Sequence, residues 1–199
     1  MALTVDLSGR VVLVTGGTRG IGLGISAAFR AAGARVLTCS RSEVDAEDHY
    51  VCDVRDPDAV RTLVAQAANA VMQQQDGGGS IVNISSISAH RPAPTIAAYA
   101  AAKAGLDSLT RSLAMEWGPS VRVNAIDVGL CRTEQTDDHY GDDSRVAAIE
   151  GTIPLGRMAT PLEVGHVAVF LASDLASYVS GARVACDGGG EPPVFLHIT

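Results

Sequence analysis

Three residues in the middle of the chain have the types and the spacing to move a proton. Tyr99 and Lys103 stand four positions apart, so on a helix they share one face. Ser86 precedes Tyr99 by 13 positions and directly follows the apolar run Ser80–Ile84 (SIVNI). A phenol is a weak acid that ordinarily titrates near ~10. An ammonium group held close favours the phenolate and draws that value toward working pH. A serine hydroxyl beside it can hold the oxygen that receives the proton. This set suits protonation of a carbonyl oxygen, the step that accompanies delivery of a hydride to the carbonyl carbon.

A hydride needs a carrier, and a second motif offers it a seat. Thr15-Gly16-Gly17-Thr18-Arg19-Gly20-Ile21-Gly22 follows the β-branched run Arg10–Thr15 (RVVLVT) and opens a stretch with helical spacing. Glycines at 16, 20 and 22 let the chain turn sharply, bring bare backbone to a pyrophosphate and pack the helix tightly on the strand. The helix N-terminus adds free N–H groups and the positive end of its dipole. Arg19 lies in this loop, and Arg41 lies just past the run Arg35–Cys39 (RVLTC). Acids near the end of a second strand bind ribose hydroxyls in NAD sites, whereas arginine accommodates a 2′-phosphate. Here the strand ends Thr38-Cys39-Ser40-Arg41 with no acid. The pattern favours NADP over NAD, with Glu43 as the residue that could serve as the missing acid.

These residues must be positioned by alternating strands and helices. Strand signals fall at 10–15, 35–39, 50–52, 80–84, 121–126 and 182–186, and helical stretches at 20–32, 57–75, 96–117 and 161–173. That alternation is the pattern of βαβ units, so the expected fold is α/β, a Rossmann-type doubly wound parallel sheet in three layers (α/β/α), of the usual strand number or one strand shorter. The segment from Cys131 to Gly151 is polar and acidic and reads as a mobile loop or lid, with Asp137, Asp138, His139 and Tyr140 as candidate substrate contacts.

Composition agrees with one domain over 1–199. Apolar residues make up 47 % and aromatic residues 4 %, a palette of Val, Ile, Leu and Ala that suits a sheet buried on both faces. With 15 Lys and Arg against 22 Asp and Glu, the net charge is −7, and the absence of a basic run argues against a nucleic-acid partner. No apolar stretch approaches ~18 residues, so no membrane span is expected, and the N-terminus shows no leader pattern. Cys39, Cys52, Cys131 and Cys186 lack C-x-x-C spacing. They predict no metal site and fit buried thiols in a reducing cytoplasm.

The motifs TGGTRGIG, NISS, Y-x-x-x-K and LASDLASYVSGARVACDGG resemble those of the short-chain dehydrogenase/reductase family, in that family's order from Val11 to Gly189. The resemblance implies that Ser86, Tyr99 and Lys103 are the catalytic triplet. It implies a nicotinamide cofactor bound by Gly16, Thr18, Arg19, Gly20, Ile21, Gly22, Arg41, Tyr99 and Lys103. It further implies that Asp53 and Val54 lie along the adenine, and that Cys131 and Thr133 meet the nicotinamide end. Relatives of this kind include carbonyl and 3-oxoacyl reductases, so a small carbonyl or alcohol substrate and a homodimer or homotetramer are implied as partners.

One departure stands out. The family carries an Asn-Asn-Ala-Gly strand end between the positions of Asp53 and Ser86, and this chain has none. Only 33 positions separate those residues, with a join expected near Val60–Gln66. Without that unit the strand Ser80–Ile84 could pair directly with Arg10–Thr15, shifting Ser86 by one strand spacing of ~4.8 Å. Such an offset predicts a weak or inactive enzyme, so a non-catalytic dinucleotide-binding protein is the alternative. A smaller departure is Asp127-Val128-Gly129, where the family usually places Pro before the Gly.

Overall fold

The computed structural model describes residues 4–45, 48–53 and 70–190. Within them the strands are β1 (Val11–Thr15), β2 (Arg35–Ser40), β3 (His49–Val51), β4 (Gly79–Ser86), β5 (Val121–Val128) and β6 (Arg183–Cys186). The helices are α1 (Gly20–Ala31), α2 (Ala70–Gln74), α3 (Ala97–Trp117), α4 (Thr136–Tyr140), α5 (Asp143–Glu150) and α6 (Pro161–Ala172). All strand pairs are parallel, as the βαβ alternation predicts. The architecture is the expected Rossmann-type α/β fold. The helix expected over 57–75 is described only from Ala70 onward, and the join near Val60–Gln66 lies outside the described residues.

The strands form two ladders, β1-β2-β3 and β4-β5-β6. Among the described residues β1 pairs with β2 alone and β4 with β5 alone. The direct pairing of the fourth strand with the first, expected from the shortened sequence, therefore does not form. β4 is held along its other edge. Eight residue pairs fix β4 to β5, from Gly79↔Val121 to Ser86↔Val128. Helices then clamp both strands. Ser80 Oγ donates to Leu171 O on α6, and Asn83 Nδ2 donates to Thr110 Oγ1 on α3. Ser80 and Asn83 are an odd number of residues apart and so point to opposite faces, which puts α6 and α3 on the two sides of the sheet.

The two ladders share one core. Val14, Ile25, Phe29 and Val36 from the first pack with Ile126, Val128, Val164 and Leu171 from the second. The bridge between them is the crossing of α1 and α6. A Cβ on Gly24 would stand 2.2 Å from the Pro161 carbonyl carbon, and one on Gly165 would stand 2.7 Å from Gly24 O. The two backbones meet there with no room for a side chain.

The segment after β5 corrects the expectation of a structureless loop. Asp142 caps α5 by accepting from the Arg145 N–H at 3.1 Å. Val146 on α5 is buried in a small second core with Ile153 and Met158. Apolar residues spaced through an acidic stretch thus seat α4 and α5 on the end of the second ladder. No helix among the described residues is long and apolar enough to cross a membrane.

Candidate active site

The turn after β1 is built for close approach. Gly16 and Gly20 adopt left-handed backbone angles, φ +67° and +52°. A Cβ on Gly22 would stand 2.2 Å from Gly16 O, so the loop closes only with glycine there. The Gly20 N–H opens α1 and donates to both carboxylate oxygens of Glu134, at 3.0 and 3.2 Å. A carboxylate thus occupies the place where a helix N-terminus receives an anion, and it stands in for a phosphate. Around this point Gly16, Arg19, Gly20, Ile21, Cys131 and Thr133 line a cleft of about 450 Å³. Bare backbone, an N–H already aimed at an anion and the Arg19 guanidinium fit a dinucleotide pyrophosphate.

The other expected cofactor contacts are spread more widely. Thr18 is half-buried inside the turn, and Gly22 lies beneath it. Arg41 is exposed at the bend after β2, and Asp53 is half-buried beyond β3. Val54 lies outside the described residues. Cys131 sits where β5 leads out of the sheet, in a bridge to Ala159. Burial, reinforced by Cys186, pushes its thiol up to about 11, so it is an unreactive wall of the cleft. All four cysteines are free.

Ser86 is the last residue of β4 and is buried; its Oγ accepts from the Ser88 N–H at 3.2 Å and caps the short turn Ile87–Ala89. Tyr99 stands in the first turn of α3 and is 48 % exposed. It lines the cleft of the glycine turn and also a second cleft of about 950 Å³ that holds Ser86. Lys103 follows one turn later, with Nζ 5.6 Å from the Tyr99 ring centroid. Its ammonium donates to Ile84 O at 2.7 Å and lines neither cleft. Burial pushes its pKa down, and the nearby Asp107 carboxylate pushes it back up. Ser86 and Tyr99 therefore meet on one surface, while Lys103 stands behind them against the strand. Of the proposed substrate contacts, His139 and Tyr140 line both clefts, and Asp137 and Asp138 line neither.

A buried ionic network supports these positions, and the sequence reading did not anticipate it. His90 Nε2 lies 2.8 Å from Asp127 Oδ2 and 3.1 Å from Asp107 Oδ2, and Arg183 Nη1 lies 3.5 Å from Asp107 Oδ2. Both aspartates are almost wholly buried, at 2 % and 5 % exposure. The three side-chain atoms fall within 4.8 Å of one another, with the Arg183 guanidinium beside Asp107. The network ties the turn after Ser86 to α3, β5 and β6. One signal was present in the sequence: Asp107 is four residues beyond Lys103, on its helix face. Glu134 gave no such signal, because its contact spans 114 positions.

The short chain dehydrogenase family model matches residues 10–72, and the model described as enoyl-(acyl carrier protein) reductase matches residues 62–191. Their boundary falls beside the expected join. An uncharacterized oxidoreductase of Mycobacterium tuberculosis is 30 % identical over 243 residues, covering 92 % of each chain. The 2-dehydro-3-deoxy-D-gluconate 5-dehydrogenase of Pseudoalteromonas atlantica is 31 % identical over 245 residues, covering 92 % of this chain and 96 % of its own. Both matches run over more residues than the 199 of this chain, so these relatives carry sequence inside the matched span that it lacks. Among solved structures, the ligand-free aldohexose dehydrogenase of Thermoplasma acidophilum superposes with a TM-score of 0.84 at 25 % identity, over 94 % of this chain and 96 % of that one. A structure described as an NAD(P)-dependent gluconate 5-dehydrogenase from Beutenbergia cavernae, with NADP at low occupancy, superposes at 0.81 and 32 % identity, over 94 % and 98 %.

Proposed function

Because the chain belongs to the short-chain dehydrogenase/reductase family, we propose that it is an NADP(H)-dependent oxidoreductase interconverting a carbonyl and a secondary alcohol, of the 3-oxoacyl or related ketone reductase type. The observation that carries this reading is the position of Tyr99, which lines both the cleft of the glycine turn and the cleft of Ser86. A residue at that junction can give a proton to an oxygen whose carbon faces the cofactor.

NADP(H), when bound, supplies or takes up the hydride at the carbonyl carbon. The remaining work falls to the chain. Gly16, Gly20 and the α1 N-terminus receive the pyrophosphate, with Arg19 as a counter-charge. Glu134 holds the Gly20 N–H that a pyrophosphate would take. Arg41, exposed beyond β2 where no acid stands, favours a 2′-phosphate. The Ser86 hydroxyl holds the substrate oxygen. Tyr99 Oη donates the proton and is left as phenolate, which the Lys103 ammonium stabilises through its charge. In the reverse direction the phenolate takes the alcohol proton.

An assembly through α3 accords with the surface of that helix. Only Asp107 and Thr110 are buried along its length, while Leu109 and Met115 are exposed, the latter at 86 %. We therefore assign α3 to a homodimer or homotetramer contact. The four free cysteines fit a reducing cytoplasm.

A second reading has its own support. The relatives carry sequence inside the matched span that this chain lacks, and β1 has a single strand partner among the described residues. A dinucleotide-binding protein without turnover would fit those facts. Titrating NADPH and NADH while following nicotinamide emission, then adding ketones and 3-oxoacyl thioesters, separates the two. Tighter binding of NADPH followed by its oxidation supports the reductase. Binding without oxidation supports the second reading, and no binding of either cofactor removes both.

A further inference from the structure

The buried network beside Ser86 gathers two carboxylates, from Asp107 and Asp127, around one imidazole and one guanidinium. With a neutral His90 ring, one negative charge is left over. His90 Nε2 faces both acids, 2.8 Å from Asp127 Oδ2 and 3.1 Å from Asp107 Oδ2, and a neutral ring has one proton to offer two acceptors. The second oxygens are worse placed. Asp107 Oδ1 and Asp127 Oδ1 are buried and have no hydrogen-bond partner among the described residues. Buried polar atoms almost always have a partner, and a bare one calls for a water or an ion. A buried carboxylate is stable only where its charge is compensated.

The atoms that meet here have the types and the spacing of metal ligands. One imidazole nitrogen and two carboxylate oxygens lie within 4.8 Å of one another. Adjacent ligands of an octahedral dication with bonds of about 2.1 Å stand about 3 Å apart, and the 2.8 and 3.1 Å separations match that edge. Imidazole together with carboxylate suits first-row transition metals, whereas Mg²⁺ and Ca²⁺ favour oxygen throughout. The bare Oδ1 atoms add a bidentate grip or accept from metal-bound water. His90 gives the ion its way in, because its side chain is 36 % exposed. Arg183 Nη1 lies 2.7 and 2.8 Å from the two ring nitrogens of His90, but its side chain is 34 % exposed and has a path to solvent. Repulsion from an entering dication drives it along that path.

We propose that His90, Asp107 and Asp127 form a site for one divalent first-row transition-metal ion, which pins the turn after Ser86 to α3 and β5. None of the three lines either cleft, so the ion is structural and takes no part in hydride or proton transfer. The inference is independent of the reductase reading.

The test uses the full chain without an affinity tag, stripped of metal by a chelator and dialysed against Mn²⁺, Zn²⁺ or Mg²⁺. One Mn²⁺ or Zn²⁺ per chain is expected, with Mg²⁺ bound at least roughly tenfold more weakly. Metal at about a hundred times its dissociation constant should raise the melting temperature by roughly 5–10 °C. His90→Ala and Asp127→Asn should each weaken binding by roughly tenfold or more and remove most of that shift. His139→Ala, in the exposed acidic stretch, should change neither the binding nor the shift. Melting of the metal-free variants verifies that each one folds. Should His90→Ala or Asp127→Asn fail to fold, the Mn²⁺-loaded parent chain decides the matter. Pulsed EPR should then show coupling to one imidazole nitrogen, and His90 should be the histidine whose NMR signals broaden most. Broadening centred on another histidine overturns the proposal. Affinity retained in both variants marks an adventitious ion only and overturns it too, as does a parent chain that binds no stoichiometric metal or melts at the same temperature with and without it. No arm of the test reads turnover, so a chain without reductase activity decides the metal site as well as an active one.

Discussion

The two ladders of this molecule are made from similar sequence and end in different circumstances. VVLVT of β1 and VRVNAIDV of β5 both read as strands from the middle of a buried parallel sheet. β5 is that: it has β4 on one side, β6 on the other and seven of its eight residues buried. β1 has β2 on one side, one residue of five buried, and Val11 61 % exposed. A strand's composition records the neighbours it is suited to, while its burial records those it has. Among the described residues the half that carries the glycine turn is thus short of one neighbour, and the half that carries Ser86, Tyr99 and Lys103 has its three strands paired with one another. The side chains of Ser86, Tyr99 and Lys103 depend on β4, β5, β6 and α3, and their half joins the half of the glycine turn through the α1–α6 crossing and the Glu134 contact.

The sharpest way to separate the halves is to remove one atom from the catalytic one. Tyr99→Phe deletes the proposed proton donor without touching the glycine turn. General acid catalysis contributes roughly 10²- to 10⁴-fold, so steady-state oxidation of NADPH should fall by that factor. The NADPH dissociation constant, read from nicotinamide emission, should stay within about twofold. A variant that keeps its rate would take Tyr99 out of the proton-donating role.

The crossing of α1 and α6 is the next place to break the comparison. Val in place of Gly24 must displace the Pro161 backbone, which would lie 2.2 Å from the new Cβ. Overpacking of this kind costs about 1–3 kcal/mol, and a contact with backbone belongs at the upper end. Hydrogen exchange should then show faster exchange in β1 and β2 than in β5, because β5 keeps both its neighbours. Uniform acceleration across both ladders would mean that the halves are joined by more than this crossing.

Much of this arrangement was legible in the sequence, and the reasons for the remainder are physical. The glycine turn, the Tyr99–Lys103 pair and Ser86 at a strand end are local features, each set by spacing within a few residues. The parallel pairing followed from the alternation of strands and helices. The split between the ladders was not legible, because a shortened sequence does not say which edge stays unpaired. The shortened sequence allows Ser80–Ile84 to pair with Arg10–Thr15, whereas β4 pairs with β5 alone and is held by hydrogen bonds to α3 and α6. The acidic stretch after Cys131 read as a loop because its charge masked the spacing of Val146 and Ile149. Glu134 and the His90–Asp107–Asp127 network depend on approaches between distant segments, which spacing alone does not report.

Glu134 sharpens the comparison from the cofactor side. Its carboxylate holds the Gly20 N–H at 3.0 Å, so an arriving phosphate must displace a like charge. Glu134→Gln keeps the size and an acceptor oxygen but removes the charge. A charge at an exposed helix N-terminus is worth about 0.3–1 kcal/mol, which corresponds to a twofold to fivefold tighter NADPH dissociation constant. The gain should shrink in high salt. Weaker binding in the variant would mean that Glu134 helps to hold the cofactor.

The smallest effect belongs to the cap of α6, the helix that carries half of the crossing. Thr160 Oγ1 accepts from the Glu163 N–H at 3.3 Å, and the Glu163 carboxylate accepts from the Thr160 N–H at 2.8 Å, a reciprocal pair at the helix start. Thr160→Ala should cost about 1 kcal/mol, a fall of roughly 2–4 °C in melting temperature for a chain of this size. Hydrogen bonds from Arg157, then from Thr160, hold the Glu163 carboxyl at about 2, below its ordinary 4.5. A carboxyl depressed on folding adds stability above its unfolded pKa and loses it as pH falls through the folded value. The contribution is therefore complete above pH 4.5 and fades toward pH 2, modestly because Arg157 and Glu163 are both substantially exposed. Glu163→Gln should flatten that part of the acid melting curve, and Thr160→Ala should reduce it. If neither variant alters the acid limb, the cap is not what fixes the start of α6, and its packing against α1 at Gly24 and Gly165 does so instead.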